Sequence, residues 1–124
     1  MLNGTITGDG ILDNPGTAKT EADLRAALAA GKSTIGIEGS FSLSADLTIP
    51  SYATLYIEGY TLSVPSGKTL QVDGGINIAN IGDTVGRLVV KSGATLKNNG
   101  LIYARWGVLL VETGATYTNG GGAL

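Results

Sequence analysis

Apolar and polar residues alternate with a period of two along much of the chain, in short runs separated by turns that contain glycine. This alternation is typical of β-strands that bury one of their two faces. Leu47 and Ile49 share one side of a first run, and Leu55 and Ile57 share one side of the next. The pattern predicts a domain built from many short strands and tight turns.

A repeat relates these strands to one another. Four segments align without gaps, each from a leucine to a glycine: LTIPSYATLYIEG (47–59), LSVPSGKTLQVDG (62–74), LVVKSGATLKNNG (88–100) and LLVETGATYTNGG (109–121). Each reads as strand, turn and strand, with Gly67, Gly93 and Gly114 in the last three turns, where glycine adopts a positive φ without strain. Such a unit cannot bury its apolar face alone, whereas stacked copies can. The repeat therefore predicts a short parallel β-solenoid.

Stacking would align equivalent residues of successive copies. The expected ladders are Leu47, Leu62, Leu88 and Leu109 in the interior, Thr54, Thr69, Thr95 and Thr116 at a corner, and Asn98 over Asn119. However, the first two copies start closer together than the others, and superposing them would place Glu58 over Asp73, an unfavourable stack of like charges. The alternative is that Leu62 lies on a face next to that of Leu47, with residues 75–86 supplying further strands of a longer coil.

One stretch, Glu21 to about Ala30 (EADLRAALAA), predicts a helix. Thr20 is a suitable N-cap residue, and Gly31 is a natural stop at the C-terminal end. A narrow apolar stripe of this helix is formed by Leu24, Ala27 and Leu28. A solenoid exposes its terminal rung as an open, aggregation-prone edge. We therefore expect the helix, which precedes the first strand, to cap the N-terminal end.

Composition fits one domain. The chain has 124 residues, of which 43% are hydrophobic, and its twenty glycines stand beside a single Phe and a single Trp. We divide it into an N-terminal arm (1–19), the capping helix (20–31) and the β-solenoid coils (32–124). In the arm, Asp9 and Asp13 of GDGILDN lack the spacing and the glutamate of an EF-hand loop. We interpret this segment as turn-rich.

Charge and residue types exclude several functions. The net charge is −2 with no basic cluster, so nucleic acid is not an expected partner. The chain has no cysteine and no histidine, which excludes disulfides, Cys or His zinc sites and His-based triads. No apolar run reaches membrane-spanning length and no signal peptide is visible, so no membrane partner is expected.

The run TEADLRAALAAGKSTIGIEGSFSLSADLTIPSYATL (20–55) resembles the start of pectate-lyase-like right-handed parallel β-helix proteins. In those proteins a helix of this kind precedes a strand, a strand similar to LTIPS and the first full coils. The resemblance covers Thr20 to about Val72. It implies an all-β fold, a short right-handed parallel β-helix with one N-terminal capping helix. Such starts occur in polysaccharide lyases, bacterial surface proteins and phage tailspikes, so the resemblance specifies fold better than function.

Catalysis in the enzymes of that superfamily, as the resemblance implies, uses clustered aspartates, often with calcium, and a basic residue. The carboxylates here are scattered, and Glu58 with Asp73 is the only pair that the repeat could bring together. A calcium site or a glycosidase pair needs two or more carboxylates held close. We therefore predict no catalytic residue, no cofactor and no metal site.

With catalytic and metal sites not expected, binding of a glycan is the remaining candidate function. The candidate residues are Tyr52, Tyr56, Tyr103 and Trp106, because exposed aromatic rings stack on sugars. In the alternation of its strand, Tyr56 occupies an outward-pointing position. The alternative for YARW (103–106) is that it fills a wide corner.

Two functional hypotheses follow. The first is a non-catalytic structural or surface-presenting module of a phage tail or virion fibre, or of a bacterial surface protein, located on the virion or the cell surface. The second is a fragment or degenerate relative of a polysaccharide lyase or hydrolase. For either, an uncovered solenoid edge is a template for pairing. We expect a homo-oligomer, with the trimer favoured by the resemblance to tailspikes and the dimer next.

Overall fold

A computed structural model describes residues 16–104 and 106–120, and the features below refer to this part of the chain. Most of the predicted arm, including Asp9 and Asp13, lies outside the described residues. One helix is present, α1 (Glu21–Ala29). The strands are β1 (Gly16–Ala18), β2 (Thr34–Ile37), β3 (Phe41–Ser42), β4 (Leu47–Ile49), β5 (Thr54–Glu58), β6 (Thr61–Val64), β7 (Thr69–Val72), β8 (Gly75–Ala79), β9 (Arg87–Val90), β10 (Thr95–Asn98), β11 (Leu101–Tyr103), β12 (Val108–Val111) and β13 (Thr116–Asn119).

The strands form three parallel sheets, which we call faces A, B and C. Face A has the order β11-β8-β5-β2-β1, face B the order β12-β9-β6-β3, and face C the order β13-β10-β7-β4. The chain visits the faces in turn, so each coil contains one strand from each face, and the first complete coil is β2-β3-β4. The predicted stack of parallel strands is confirmed, and the arrangement is consistent with a short parallel β-helix.

The core is a column of inward-pointing aliphatic side chains. Leu55, Leu70 and Leu96, which the repeat places inside, are fully buried. Neighbours in register continue each ladder; on face A, Ile35 and Ile76 flank Leu55. Burial of each such side chain contributes about 1.5–3 kcal/mol. The stack is therefore stabilised chiefly by contacts between equivalent positions of successive coils.

The predicted interior ladder holds for the last three copies of the repeat and is wrong for the first, for which the alternative, with Leu62 on a face next to that of Leu47, is confirmed. Leu62, Leu88 and Leu109 are in register on face B, whereas Leu47 pairs with Leu70 on face C. The first copy spans the corner from face C to face A, and the later copies span the corner from B to C. The same strand-turn-strand pattern fits both corners, which is why the alignment alone does not fix the face.

The other expected ladders follow the same division. Thr69, Thr95 and Thr116 are in register, and Asn98 lies opposite Asn119, as predicted. Thr54 instead lies on face A. Glu58 pairs with Ala79 and not with Asp73, so the unfavourable stack of carboxylates does not occur.

The corner between faces B and C is a stack of glycine turns. Gly67, Gly93 and Gly114 have φ values of 81°, 83° and 91°. The Gly67 amide donates to the Gly93 carbonyl oxygen at 2.9 Å, and the Gly93 amide donates to that of Gly114 at 3.0 Å. A Cβ atom on Gly93 would lie 2.3 Å from the Ser66 hydroxyl oxygen. Glycine is required here both by the backbone conformation and by the close approach of the neighbouring coil.

The third coil contains an insertion. Of residues 75–86, which were expected to add strands, Gly75–Ala79 form β8 and the remainder form a loop closed by an antiparallel bridge between Ile81 and Thr84. This loop lies between faces A and B. It accounts for the larger sequence separation between the second and third copies of the repeat.

Helix α1 lies at the N-terminal end of the stack, as predicted. The Thr20 hydroxyl accepts a hydrogen bond from the Asp23 amide at 3.2 Å, and Gly31, with φ of 77°, follows the last turn. Leu24 and Leu28 are buried against the first coil. The Glu21 carboxylate accepts a hydrogen bond from the Ser44 amide at 3.0 Å. A side chain of the helix thus satisfies an edge amide of the first coil.

Further hydrogen bonds from two side chains, Arg25 and Tyr52, fasten α1 to the coil. Arg25, which forms an ion pair with Glu21 at 2.8 Å, also donates to the Ala45 carbonyl oxygen at 2.9 Å. The Tyr52 hydroxyl donates to the Leu28 carbonyl oxygen at 2.7 Å, near the C-terminal end of the helix. Both ends of α1 are therefore tied to corners of the stack.

Candidate functional site

Outward side chains of face A form columns that run along the stack. Tyr56 of β5 is in register with Asn77 of β8, which is in register with Tyr103 of β11. Because neighbouring strands lie ~4.8 Å apart, the two tyrosines are separated by about 10 Å, with the amide between them. Tyr103 is 44% exposed and Tyr56 is half-buried. Two rings and a hydrogen-bonding group therefore share one surface.

A groove of about 300 Å³ runs beside this column. Its lining comprises Ser51, Thr54, Asp73, Gly74, Gly75, Ile76, Asn77, Leu101 and Tyr103. Thr54, Gly75 and Leu101 occupy equivalent outward positions of three successive coils. Since the middle one has no side chain, it leaves a gap between its neighbours, and Gly75 forms the floor of the groove.

Gly75 is closely packed as well as small. A Cβ atom there would lie 3.3 Å from the Thr54 hydroxyl oxygen and 3.5 Å from the Leu101 carbonyl oxygen. The volume is at the lower end of the range for small-molecule sites. A groove of this size is better suited to holding one unit of a longer ligand that lies along face A than to enclosing a whole molecule.

Asp73 lines the groove at the corner between faces C and A, and two amide side chains hold its carboxylate in place. The Asn99 Nδ2 donates to Oδ1 at 2.9 Å, and the Gln71 Nε2 donates to Oδ1 at 3.0 Å and to Oδ2 at 3.2 Å. These bonds, from Asn99 first and then Gln71, hold the pKa of Asp73 below its ordinary value of 3.8, and the positive charge of Lys97 adds to the effect. The carboxylate is therefore ionised at neutral pH.

No protein-family model, curated protein or solved structure matches the chain. The chemistry of the groove is therefore inferred from its own geometry.

The second carboxylate that the repeat could have supplied is not brought to Asp73. Glu58, the carboxylate that the repeat could have paired with it, ends β5 at the opposite end of face A. Within residues 16–104 and 106–120 no group of three or more acidic residues is placed to hold a metal ion. In the same ranges, no helix is long and apolar enough to cross a bilayer. The groove offers hydrogen bonds, one fixed negative charge and the ring of Tyr103.

The four aromatic residues predicted as glycan contacts are distributed over different parts of the stack. Tyr56 and Tyr103 lie in one column on face A. Tyr52 is 51% exposed at a corner, where its hydroxyl binds α1, and Trp106 is 64% exposed at the corner between faces A and B of the last coil. The structure thus brings one of the four, Tyr103, to the lining of the groove and a second, Tyr56, to the column beside it. The role of all four as glycan contacts stays a prediction.

Sequence reasoning missed Asp73, Gly75 and Asn77 as members of a common site. Gly75 and Asn77 lie in GINIA, which falls between two copies of the repeat. The period-two alternation of GINIA marks Asn77 as outward. The register with Tyr56 and Tyr103, which the sequence does not reveal, is what assembles the site.

Proposed function

We propose that the chain is a non-catalytic, surface-presenting module with a right-handed, pectate-lyase-like parallel β-helix fold, and that face A contacts a glycan. The observation that carries the proposal is the column of Tyr56, Asn77 and Tyr103 beside a groove whose floor is Gly75. Ring faces stack on the apolar side of a sugar, and amides bond its hydroxyls. The spacing of the rings suits two sugars of an extended chain that are separated by a third sugar, which would lie over Asn77.

The handedness rests on a general rule and on the resemblance. Successive strands of each face are parallel and are joined by a crossover through the other two faces. Such connections are right-handed in about 98% of cases. A stiff stack with an exposed lateral groove suits a tailspike-like or adhesin-like protein, so we propose a phage tail or virion fibre, or a bacterial surface protein, as its setting.

The runner-up function is that of a fragment or degenerate relative of a polysaccharide lyase or hydrolase. The ionised Asp73 in the groove is the observation in its favour. Acid-base cleavage of a glycosidic bond ordinarily uses two carboxyl groups, and Glu58 lies at the far end of the face. Incubation with polysaccharides should release no oligosaccharide. Product that disappears in Asp73→Asn would favour the enzyme instead.

The glycan contact is tested with a glycan array followed by titration of the best binder. Tyr103→Ala should weaken binding about tenfold, which corresponds to ~1.4 kcal/mol, and Gly75→Thr should abolish it by filling the groove. Thr118→Ala, which changes an outward residue of face C, is the matched control and should bind as the wild type does. Equal affinity in all three variants would refute the assignment of the site.

We also propose that the protein is a homo-oligomer, a trimer first and a dimer next. Support comes from face B, where outward positions change from polar to apolar along the stack. Val108 and Leu110 of the fourth coil are 39% and 45% exposed, whereas Thr61 and Ser63 hold these columns in the second coil. Sedimentation at micromolar concentration should show association that Val108→Thr with Leu110→Thr weakens. A wild-type chain that sediments only as a monomer would rule the oligomer out.

A further inference from the structure

We infer that the groove of face A selects a glycan whose seated sugar is neutral or carries a free amino group, and that it discriminates against uronic acids. The inference rests on the proposed glycan contact and names the chemical class of its ligand. It is carried by the charge of the lining and by the geometry of the Asp73 carboxylate.

Asp73 is the only charged residue among the described residues that line the groove. Its neighbours there are hydroxyl, amide, glycine and apolar groups. Lys97 is close enough to act on Asp73 electrostatically, but it points outward on face C and does not line the groove. A sugar in the groove therefore meets one negative charge and no cation.

The carboxylate is also positioned to bind a donor. Its two oxygens together accept about four hydrogen bonds, and Gln71 and Asn99 supply three contacts, two to Oδ1 and one to Oδ2. Oδ2 therefore retains capacity for a hydroxyl or an ammonium group of the ligand. A ligand carboxylate has no proton to donate at neutral pH and would be repelled.

Rigidity makes this charge selective. The three contacts hold the carboxylate in one orientation, so it does not swing away from an anionic ligand at little cost. The site is open to solvent, and charge pairs in such places are worth only modest energies. We therefore expect discrimination of roughly two- to fivefold, decreasing as salt is added.

Two matched pairs of oligosaccharides test the inference by calorimetric titration of the full chain. Oligogalacturonate and its methyl ester share a backbone and differ in negative charge. Chito-oligosaccharides with free and with acetylated amino groups differ in positive charge. The ester should bind about two- to fivefold more tightly than the acid, and the free amine more tightly than its acetylated form by a similar factor. Asp73→Asn should remove both differences.

Because Asp73 also links neighbouring coils, a second variant keeps the test independent of its folding. Asn77→Lys places a cation in the groove and should reverse the order, so that oligogalacturonate binds more tightly than its ester. Thr118→Lys adds the same charge on face C and should leave the order unchanged, which separates the groove from the net charge.

The two proposals fail in different ways. If none of the four oligosaccharides binds, and the glycan array is also negative, the proposed glycan contact is wrong. If oligosaccharides bind but the acid binds as tightly as its ester, or if Thr118→Lys reverses the order as Asn77→Lys does, the charge selection is overturned while the contact stands.

Discussion

Leu24 is the residue through which α1 closes the N-terminal end of the stack, and its replacement by aspartate should open that end. The side chain is fully buried, among the first aliphatic residues of the core. Truncation of a buried leucine to alanine costs about 2–5 kcal/mol. At about 4 °C per kcal/mol for a domain of this size, Leu24→Ala should lower the melting temperature by roughly 8–20 °C.

Leu24→Asp should act more strongly, because it adds the cost of desolvating a carboxylate to the lost packing. We expect α1 to detach from the first coil. The Ser44 amide would then lose its acceptor, Glu21, and the strand edges of the first coil would face water. Exposed edges of this kind template pairing with other chains, so the variant should aggregate as well as melt early.

Circular dichroism and light scattering on heating measure both effects, and hydrogen exchange at the Ser44 amide reports local opening. Ala26→Asp is the matched control, because it introduces the same charge on the exposed side of the same helix. Its expected cost is no more than about 0.7 kcal/mol from helix propensity. If Leu24→Asp melts with the wild type and stays dispersed, α1 does not close the stack.

Four further substitutions probe the fold. Burial raises the pKa of Glu21, but hydrogen bonds from Ser44 and Arg25 outweigh this effect and hold the pKa below its ordinary value of 4.5, so the stabilisation from this carboxylate is present above pH 4.5 and is lost as the pH falls through the lowered pKa. As the pH is lowered, the melting temperature of Glu21→Gln should therefore fall less than that of the wild type. Parallel plots of melting temperature against pH for the two proteins would refute the link. A Cβ atom on Gly31 would have no neighbour within 4 Å, so Gly31→Ala should lower the free energy of unfolding in urea only by the cost of its positive φ, about 1–2 kcal/mol. Gly93→Ala should lower it more, because its Cβ would also meet Ser66 of the neighbouring coil. Equal losses in the two variants would contradict the close stacking of the glycine turns. The buried Asn98 accepts from the Gly100 amide at 3.1 Å, so Asn98→Ala should cost about 1–3 kcal/mol by the same measurement.

The sequence was sufficient for the helix and for the strands of the repeat, and insufficient for the register of the first copy and for the strand Gly16–Ala18, which lies in the predicted arm. Alternation with period two identified inward residues such as Leu55 and Leu70, because nearly every inward position is apolar on whichever face it lies; the buried Asn98 is an exception. The face occupied by Leu47 was ambiguous, because the same strand-turn-strand pattern fits two corners of the stack. Only the pairing of Leu47 with Leu70 resolves it.

The candidate site was predictable only as far as it depends on which residues of a strand point outward. Tyr56 was expected to face outward from its position in its strand, and it does. Asp73 and Gly75 gave no such indication: one is a corner residue and the other a glycine in a chain that has twenty. Their importance arises from which residues neighbour them in adjacent coils, and that depends on loop lengths such as the insertion before β9.

The outward columns of face A differ from those of face C in a way that bears on function. On face C one column reads Thr48, Gln71, Lys97 and Thr118, an unbroken row of polar side chains that faces solvent. On face A the equivalent column is interrupted by Gly75, which weakens a strand and offers no side chain to its neighbours. Strand propensity alone favours a threonine there, as at Thr54 in the preceding coil, although its Cβ would lie 3.3 Å from the Thr54 hydroxyl oxygen. Residues that local propensity disfavours concentrate at functional sites. In this stack the disfavoured residue, Gly75, lies at the groove, beside the carboxylate of Asp73 and the column of the two tyrosines.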